Sequence, residues 1–278
     1  MECSKKRELD LMAAKIRKTA LQTIQAAGSG HIGGSFSIAD ILSVLYFEKM
    51  NVDPMRPDDP DRDRLVLSKG HCSPAMYATL ALKGFFLKEH LSTFRKLDSD
   101  LSGHVEIHVP GVDMSSGSLG QGLSVALGMA MYAKARKKRY RTFCILGDGE
   151  IQEGQVWEAA MCAGFYKVDN LIAFVDNNKL QLDGSLEEIM SSYPIGDKFR
   201  AFGWNVLEVN GHDVEQISDA VEFAFSMKGK PTVIVADTVK GKGVTLFENN
   251  VYFMEVNLKL KSGLIVMRNW MPRSQNWR

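Results

Sequence analysis

Short apolar runs and segments with helical spacing alternate along most of this chain. The runs lie at 64–67, 141–146, 170–175, 205–209 and 231–237, and polar residues interrupt them little. Such runs are typical of parallel strands that are buried on both faces of a sheet. Between the second and third runs, residues 153–168 place apolar side chains at helical spacing. This order predicts a strand–helix–strand unit with parallel strands.

The pattern of strands and helices also predicts the fold class. Further helices are expected at 4–27, 38–48, 73–82, 87–97, 193–202 and 214–227. Ser37 is expected to cap the second of them. The repetition from 141 to 238 predicts an α/β fold with a doubly wound, mainly parallel sheet and helices on both faces. No linker, repeat or change of composition interrupts the chain, so we expect one domain at 1–250, followed by a basic tail at 251–278.

Two polar motifs follow neighbouring strands of the predicted sheet. A Gly-Asp-Gly-Glu motif at 147–150 comes directly after the second apolar run, and an Asn-Asn pair at 177–178 follows the third. Parallel strands end on the same edge of a sheet, so Asp148 and Asn178 are expected to lie side by side. Each motif alone is typical of an ordinary turn, but the shared edge and the spacing favour a functional site.

The oxygens of this edge predict a metal and a phosphate group. A carboxylate and an amide oxygen form a sparse ligand set that suits Mg²⁺, which prefers oxygens at about 2.1 Å and completes its shell with phosphate and water. Zinc would require His or Cys, and neither is placed here. The glycines beside Asp148 allow a ligand to approach the backbone, and the helix that begins near Glu153 directs its positive end to the same place. The pattern therefore predicts a Mg²⁺–diphosphate site.

Composition argues against several other classes of protein. The chain has 34 basic and 33 acidic residues, so no overall field favours nucleic acid or an anionic membrane. The first ten residues are mostly charged and no apolar run is long enough to span a bilayer, so we expect neither a secretory signal nor a membrane anchor. Four cysteines without CxxC spacing favour free thiols in a reducing cytoplasm. A GxGxxG pattern at 28–33 follows a helix rather than a strand, which argues against dinucleotide binding.

The motif at 147–150 and the Asn-Asn pair 30 positions later resemble the thiamine diphosphate motif. The longer string at 147–159, Gly-Asp-Gly-Glu-Ile-Gln-Glu-Gly-Gln-Val-Trp-Glu-Ala, is similar to transketolase in particular. The resemblance covers roughly residues 8 to 250. It implies a thiamine-diphosphate-binding fold with thiamine diphosphate and Mg²⁺ as cofactors. It also implies an enzyme of the pentose phosphate pathway that transfers a two-carbon ketol unit from a ketose phosphate to an aldose phosphate.

The same resemblance implies roles for individual residues. Mg²⁺ would be held by Asp148, Asn178 and the backbone carbonyl of Leu180. The cofactor would contact His71, Gly117, Ser118, Leu119, Gly149, Glu150 and Asn178. The catalytic residues would be His31, His71 and His104, together with Glu153, which resembles the acidic residue between two cofactor sites in this family. His104 lies in an element where the family has Gly-His-Pro-Glu, and this sequence has Val105 in place of the proline.

The resemblance ends before the family's second domain, which supplies a glutamate to the cofactor's pyrimidine ring. At 251–254 this sequence has Val-Tyr-Phe-Met, whereas the family has a Trp-His pair whose histidine helps to hold the diphosphate. The basic tail at 251–278 is therefore expected to be divergent. We expect an N-terminal subunit that acts only with a separately encoded C-terminal transketolase subunit carrying the pyrimidine domain. The expected assembly is a homodimer of this chain within a heterotetramer, in the cytoplasm, with sugar-phosphate substrates.

Three alternatives remain open at this point. A related enzyme would share the cofactor but use other substrates, as a deoxyxylulose-phosphate synthase or a 2-oxo-acid dehydrogenase α subunit does. The string at 147–159 and the Ser-Lys-Gly-His element at 68–71 favour transketolase over these. A non-catalytic homologue that binds the cofactor or serves as a scaffold would fit the altered tail. A Mg²⁺-dependent phosphotransfer enzyme would keep Asp148, but the chain has no P-loop.

Overall fold

The computed structural model describes residues 1–182 and 184–250, together with the backbone of 255–256. The helices are α1 (Cys3–Ala27), α2 (Gly33–Ser37), α3 (Ala39–Val44), α4 (Ser73–Lys83), α5 (Gly122–Ala135), α6 (Gly154–Phe165), α7 (Leu186–Ile189), α8 (Ile195–Ala201) and α9 (Val214–Ser226). The strands are β1 (Gly30–His31), β2 (Arg64–Leu67), β3 (Thr142–Gly147), β4 (Leu171–Asn177), β5 (Leu180–Gln181), β6 (Gly184–Ser185), β7 (Asn205–Asn210), β8 (Thr232–Asp237) and β9 (Glu255–Val256).

Five of these strands form the central sheet of the described residues. Their order is β2-β3-β4-β8-β7, and every neighbouring pair is parallel. All residues of β3 and β4 are buried, as the uninterrupted apolar runs predicted. The short pairs β5-β6 and β1-β9 are antiparallel and lie outside this sheet.

Helices cover both faces of the sheet. Along β3, Phe143 and Ile145 belong to one apolar core, and Cys144 and Leu146 belong to another. The first core includes residues of α1, α3, α4 and α9, and the second includes residues of α5, α6 and α8. Alternate strand residues point to opposite faces, so the two cores lie on either side of the sheet. The predicted doubly wound α/β fold is confirmed.

Two of the expected helices differ in the structure. The helix expected at 38–48 forms as α3, which continues into a single wide turn at Leu45–Lys49, and the separate short helix α2 precedes it. Ser37 does not cap it, and instead the Ser37 hydroxyl donates a hydrogen bond of 2.7 Å to Asp176 at the end of β4. The segment expected to be helical at 87–97 forms only a tight 3₁₀ turn at Lys88–Thr93. Arg95 has a φ of 57°, which a right-handed helix does not allow.

The carboxyl ends of three strands meet at one edge of the sheet. In the strand register, Gly147 of β3 pairs with Asp176 of β4, and Asn177 pairs with Asp237 of β8. The amino-terminal region reaches the same edge, because the backbone N–H of Gly241 donates to the carbonyl of Gly33 in α2 at 3.0 Å. In an open α/β sheet, this edge is where ligands bind.

The residues beyond Asn250 bear on one expectation. The tail expected at 251–278, including the Val-Tyr-Phe-Met sequence at 251–254, lies outside the described residues, apart from the backbone of β9. The division into one domain and a tail therefore stays a prediction. Across the described ranges, no helix has the length and apolar character that would let it cross a membrane.

Two helical glycines test how closely the second core is packed. A Cβ atom at Gly164 in α6 would lie 1.8 Å from the carbonyl oxygen of Phe202, whereas a Cβ at Gly128 in α5 would meet nothing within 4 Å. We expect Gly164→Ala to lower the free energy of unfolding by about 1–3 kcal/mol, because backbone would have to move. Gly128→Ala is the control and should raise it by about 0.5–1 kcal/mol through helix propensity. Thermal unfolding followed by circular dichroism measures both, and changes of the same sign would contradict the packing argument.

Candidate functional site

A cavity of about 200 Å³ opens at the carboxyl edge of β3 and β4. Its wall contains Gly34, Lys69, His71, Leu119, Gly147, Asp148, Gly149, Glu150, Asn178, Leu180, Gln181, Leu182 and Lys240. These residues come from widely separated parts of the chain. The cavity includes all three residues expected to hold a metal and several of those expected to contact a cofactor. It is the candidate functional site.

Asp148 follows β3 and is nearly fully buried, with 2% of the residue exposed. Its carboxylate accepts hydrogen bonds from the backbone N–H groups of Gly149 at 2.8 Å and Lys179 at 2.5 Å. Burial, with a contribution from the nearby Asp176 carboxylate, raises the pKa of Asp148 to about 7. None of the ion pairs among the described residues involves Asp148. A desolvated carboxylate of this kind fits a site that is completed by a cation.

Asn178 and Leu180 add two further oxygens to the cavity. The Asn178 side-chain amide donates to Asp176 Oδ2 at 3.0 Å, which orients its Oδ1 away from Asp176. The Leu180 carbonyl accepts a hydrogen bond of 3.1 Å from Lys240 Nζ and so faces the same space. The described residues contain no group of three or more His, Cys, Asp or Glu side chains that could hold a metal by themselves. Mg²⁺ fits this sparse set because it keeps water and phosphate among its ligands.

Two buried lysines of the cavity escaped the sequence analysis. Lys69 Nζ lies 2.5 Å from Asp176 Oδ2 and 3.1 Å from the carbonyl of Gly34. Burial opposes the charged form of Lys69, but neighbouring groups, chiefly the Asp176 carboxylate, together outweigh burial and raise the pKa of Lys69. For Lys240, burial has the larger effect and lowers the pKa, against the attraction of Asp148. Lys240 follows β8 at the same edge of the sheet, so the strand-end argument used for Asp148 would have identified it.

Asp176 organises the groups around the cavity from a completely buried position. Its carboxylate accepts hydrogen bonds from Lys69, Asn178, Ser37 and the Thr238 hydroxyl. Burial opposes the ionised form of Asp176, but Lys69 and the hydroxyls of Thr238 and Ser37 together outweigh burial and hold the pKa of Asp176 below its usual range. The carboxylate thereby connects the end of β4 to α2, to the segment after β2 and to the end of β8. Apolar periodicity alone carried no signal for this role.

The carboxylate of Glu150 forms hydrogen bonds with other groups of the protein. It accepts hydrogen bonds from the backbone N–H groups of Gly120 and Gly147, both at 2.9 Å, and from the Ser68 hydroxyl. Burial raises the pKa of Glu150. The side chain lines the cavity, but its contacts hold the glycine-rich segment before α5 against the ends of β2 and β3. Its expected contact with a cofactor stays a prediction.

The three histidines expected in the site lie together. The ring centroid of His31 is 5.2 Å from that of His71 and 6.1 Å from that of His104. His71 lines the cavity, and burial, with a smaller contribution from Lys69, lowers its pKa well below the ordinary value. Its imidazole is therefore neutral at neutral pH and able to donate at one nitrogen and accept at the other. His31 and His104 are not part of the cavity wall and extend the polar surface beside it.

Three other expected residues lie outside the cavity wall. Gly117 and Ser118 are exposed, and a Cβ at Gly117 would lie 3.7 Å from the His104 ring. Glu153 is exposed at the beginning of α6, and its side chain packs beside Gly120. The structure thus places Gly117 next to the His104 ring. The roles assigned to all three residues stay predictions.

Comparison with known proteins decides the family. A sequence model described as "Transketolase, thiamine diphosphate binding domain" matches residues 9–259, which is most of the chain. The chain belongs to this transketolase family. The prediction that it is the N-terminal part of a transketolase-type enzyme is therefore confirmed.

Named relatives of this transketolase domain include subunits of similar length. The 6-deoxy-6-sulfo-D-fructose transketolase subunit SqwG of a Clostridium species is 48% identical over 245 residues, covering 88% of this chain and 89% of the relative. One of the apulose-4-phosphate transketolase subunits of Phocaeicola vulgatus is 45% identical over 240 residues, covering 86% of this chain and 85% of the relative. A solved transketolase structure from Campylobacter jejuni has a TM-score of 0.86 and 37% identity, covering 90% of this chain and 40% of that one. The chain thus spans less than half of that longer transketolase.

The pocket of this transketolase domain combines two kinds of group. Asp148, Asn178 and the Leu180 carbonyl present oxygens, which suit a divalent cation. Lys69 and Lys240 present ammonium groups, which suit an anion. A diphosphate with a bound Mg²⁺ carries both of the matching charges. The residues present therefore fit the cofactor for which the family is named.

Proposed function

We propose that this chain is the cofactor-binding subunit of a two-subunit transketolase. The complex would transfer a two-carbon ketol unit from a ketose phosphate to an aldose phosphate, using thiamine diphosphate and Mg²⁺. The observation that carries this proposal is the meeting of three oxygen ligands and two lysines in one buried pocket at the end of parallel strands. The bound cofactor supplies a carbanion and an electron sink for the chemistry.

The residues of the chain divide the work between binding and proton transfer. Asp148, Asn178 and the Leu180 carbonyl would hold Mg²⁺, and Lys240 would balance the charge of the diphosphate. Lys69, which also lines the cavity, would contribute less to anion binding, since Asp176 already pairs with its ammonium group. The pre-formed hydrogen bonds of the buried Asp176 and Glu150 support this assignment, because they hold the binding groups in place before any ligand arrives.

The histidine cluster would serve the sugar substrate. His31 and His104 would donate hydrogen bonds to substrate oxygens and accept protons from substrate hydroxyls. His71, neutral and closer to the cofactor pocket, would contact the diphosphate end. The separations of 5.2 and 6.1 Å between ring centroids support a common task, since one small polyol can reach all three rings. The substrates themselves would be sugar phosphates, and the names of the relatives add sulfonated sugars to the donors worth testing.

An exposed apolar face supports the proposed assembly. Val125 and Tyr132 on α5, with Met161 and Phe165 on α6, are between 36% and 76% exposed. Exposed large apolar side chains on two helices that pack together are typical of a protein–protein contact. We assign this face to a second copy of the chain, within a heterotetramer that also contains two C-terminal subunits. The assembly would act in the cytoplasm.

The proposal predicts that turnover requires both subunits. The purified chain should show no ketol transfer with thiamine diphosphate, Mg²⁺ and a panel of phosphorylated and sulfonated ketoses. Addition of a C-terminal transketolase subunit should produce it, because the family's pyrimidine-ring glutamate lies in that second domain. A coupled assay of aldose formation measures this, with calorimetry of cofactor binding in parallel. Turnover by the chain alone would contradict the two-subunit proposal, and failure to bind the cofactor with the partner present would contradict the proposed function itself.

A further inference from the structure

A series of polar contacts leads from α1 to the segment that carries Lys240. Arg17 of α1 binds both carboxylate oxygens of Asp40 in α3, one of them at 3.2 Å. His212, in the loop between β7 and α9, places its Nδ1 2.7 Å from Asp40 Oδ2. The backbone N–H of Val239 then donates to His212 Nε2 at 2.8 Å. Val239 immediately precedes Lys240.

These contacts define which nitrogen of the His212 ring carries the proton. Because a backbone N–H can only donate, Nε2 must be unprotonated, and the proton must lie on Nδ1, where it is donated to Asp40. Arg17 and Asp40 are buried, and 12% of the His212 side chain is exposed. The imidazole is therefore a rigid connection with a donor on one side and an acceptor on the other.

The segment after β8 depends on such connections for its position. The N–H of Thr238 donates to the Asn177 carbonyl at 3.1 Å, and the N–H of Gly241 donates to the Gly33 carbonyl at 3.0 Å. Between these two anchors, the contact of Val239 with His212 holds the backbone next to Lys240. The Lys240 side chain lies across Gly33, where an added Cβ would come within 2.8 Å of Lys240 Cγ. A small shift of this backbone would therefore move the Lys240 ammonium group within the pocket.

A second cavity suggests what would happen without the imidazole. This cavity, of about 760 Å³, is lined by His212, Thr238 and Val239 among others. If His212 no longer accepted the Val239 N–H, water in this cavity would take its place. The donor would stay hydrogen-bonded and the fold would persist, but the backbone would lose a fixed point.

We propose that His212 is a positioning residue for diphosphate binding. It transmits the fixed position of Asp40 to the backbone of Val239 and so holds Lys240 toward the pocket. This inference rests on the proposed function, because the position of Lys240 affects ligand binding only if the pocket binds an anion.

Two substitutions separate positioning from a purely structural role. His212→Gln places an amide oxygen near the position of Nε2, which keeps an acceptor for Val239 but removes the donor to Asp40. His212→Asn places an amide nitrogen near the position of Nδ1, which keeps the donor to Asp40 but removes the acceptor for Val239. We expect His212→Asn to weaken the binding of thiamine diphosphate with Mg²⁺ by about tenfold or more, as is usual for supporting groups around a metal site. His212→Gln should stay within about threefold of the unmodified chain.

Calorimetry on the full chain measures the affinities, and thermal unfolding reports the stability of each variant. Weak binding by His212→Gln together with normal binding by His212→Asn would overturn the proposal, because the ring would then serve only to neutralise Asp40. Equal affinities of the two variants would also overturn it.

A Lys240→Met background shows whether the effect passes through Lys240. There His212→Asn should weaken binding by less than about twofold, because coupled residues do not have additive effects. A full tenfold effect in that background would contradict the proposal. If Lys240→Met and Asp148→Asn both bind the cofactor as tightly as the unmodified chain, the proposed function is wrong, whatever His212 does.

Discussion

Asp148→Asn should abolish Mg²⁺-dependent binding of thiamine diphosphate and, at the same time, make the cofactor-free chain more stable. The loss of binding follows from removing the charged metal ligand. The affinity for the cofactor should fall by more than about 100-fold, since even supporting groups around a metal contribute about 10- to 100-fold to affinity. The gain in stability follows from the burial of a carboxylate that has no ion pair among the described residues. A loss of binding that accompanies a gain in stability cannot come from unfolding, so the combination is diagnostic.

The sign of the stability effect follows from the pKa. Burial raises the pKa of Asp148 from 3.8 to about 7, so the folded state disfavours the ionised form that the unfolded state adopts. The destabilisation is absent well below pH 3.8, grows as the pH rises toward 7, and is complete above it. The full difference corresponds to about 4 kcal/mol. Loss of the Lys179 hydrogen bond offsets about 1 kcal/mol of this, which leaves an expected gain in the free energy of unfolding of about 3 kcal/mol above pH 7.

Thermal unfolding between pH 4 and pH 8 without added metal measures the gain, and calorimetry measures binding. The difference in stability between the variant and the unmodified chain should widen with pH up to about 7. Asp148→Glu serves as the control, because it keeps the charge and should keep the pH dependence of stability. A cofactor affinity that survives Asp148→Asn would show that this carboxylate does not bind the metal.

Asp176→Asn should lower the free energy of unfolding by about 3–5 kcal/mol, because it leaves the buried Lys69 ammonium group without its partner. At neutral pH the folded state holds Asp176 ionised, with its pKa below the ordinary value. A depressed carboxylate pKa contributes stability above pH 3.8, and this contribution is lost as the pH falls through the folded pKa. The unmodified chain should keep this contribution to its free energy of unfolding at neutral pH and lose it only in acid. The variant should lack it already at neutral pH.

Asp237→Asn provides a matched control at the same edge of the sheet. Asp237 pairs with Lys179 at 2.6 Å, but more than half of each side chain is exposed. Loss of this exposed ion pair should lower the free energy of unfolding by less than about 1 kcal/mol. In the double variant Lys69→Met with Asp176→Asn, most of the loss should be recovered, because no unpaired charge remains. Urea unfolding measures all of these variants, and an equal loss for Asp176→Asn and Asp237→Asn would contradict the importance assigned to the buried pair.

The sequence was informative about the candidate site where strands end. Asp148 and Asn178 were expected side by side because parallel strands share a carboxyl edge, and the structure places both in one pocket. The same argument, applied to β8, points to Lys240, which was overlooked. Lys69 lies inside a Ser-Lys-Gly-His element that was already noted, but a lysine is usually exposed, so its burial was not foreseen. His212 and Asp40 are 172 positions apart, and no local pattern indicates that they touch.

Two expectations about helices were wrong. Ser37 was expected to cap the helix predicted at 38–48, but its hydroxyl donates to Asp176 at the end of β4 instead. The segment 87–97 was predicted as a helix, but only a short turn forms at Lys88–Thr93. Near 95–98 the backbone adopts positive φ angles at Arg95 and Asp98, which ends helical structure whatever the side-chain spacing.

By itself, the sequence determined the α/β class, the positions of the strands and the edge at which polar residues gather. These properties follow from the solvation of apolar runs and from the geometry of parallel strands, which act over a few residues. Only the tertiary structure decided which charges share a buried space: Lys69 with Asp176, Lys240 with the Leu180 carbonyl, and His212 with Asp40. Such pairings depend on how distant segments pack, because a buried charge is stable only beside a partner that the packing brings to it.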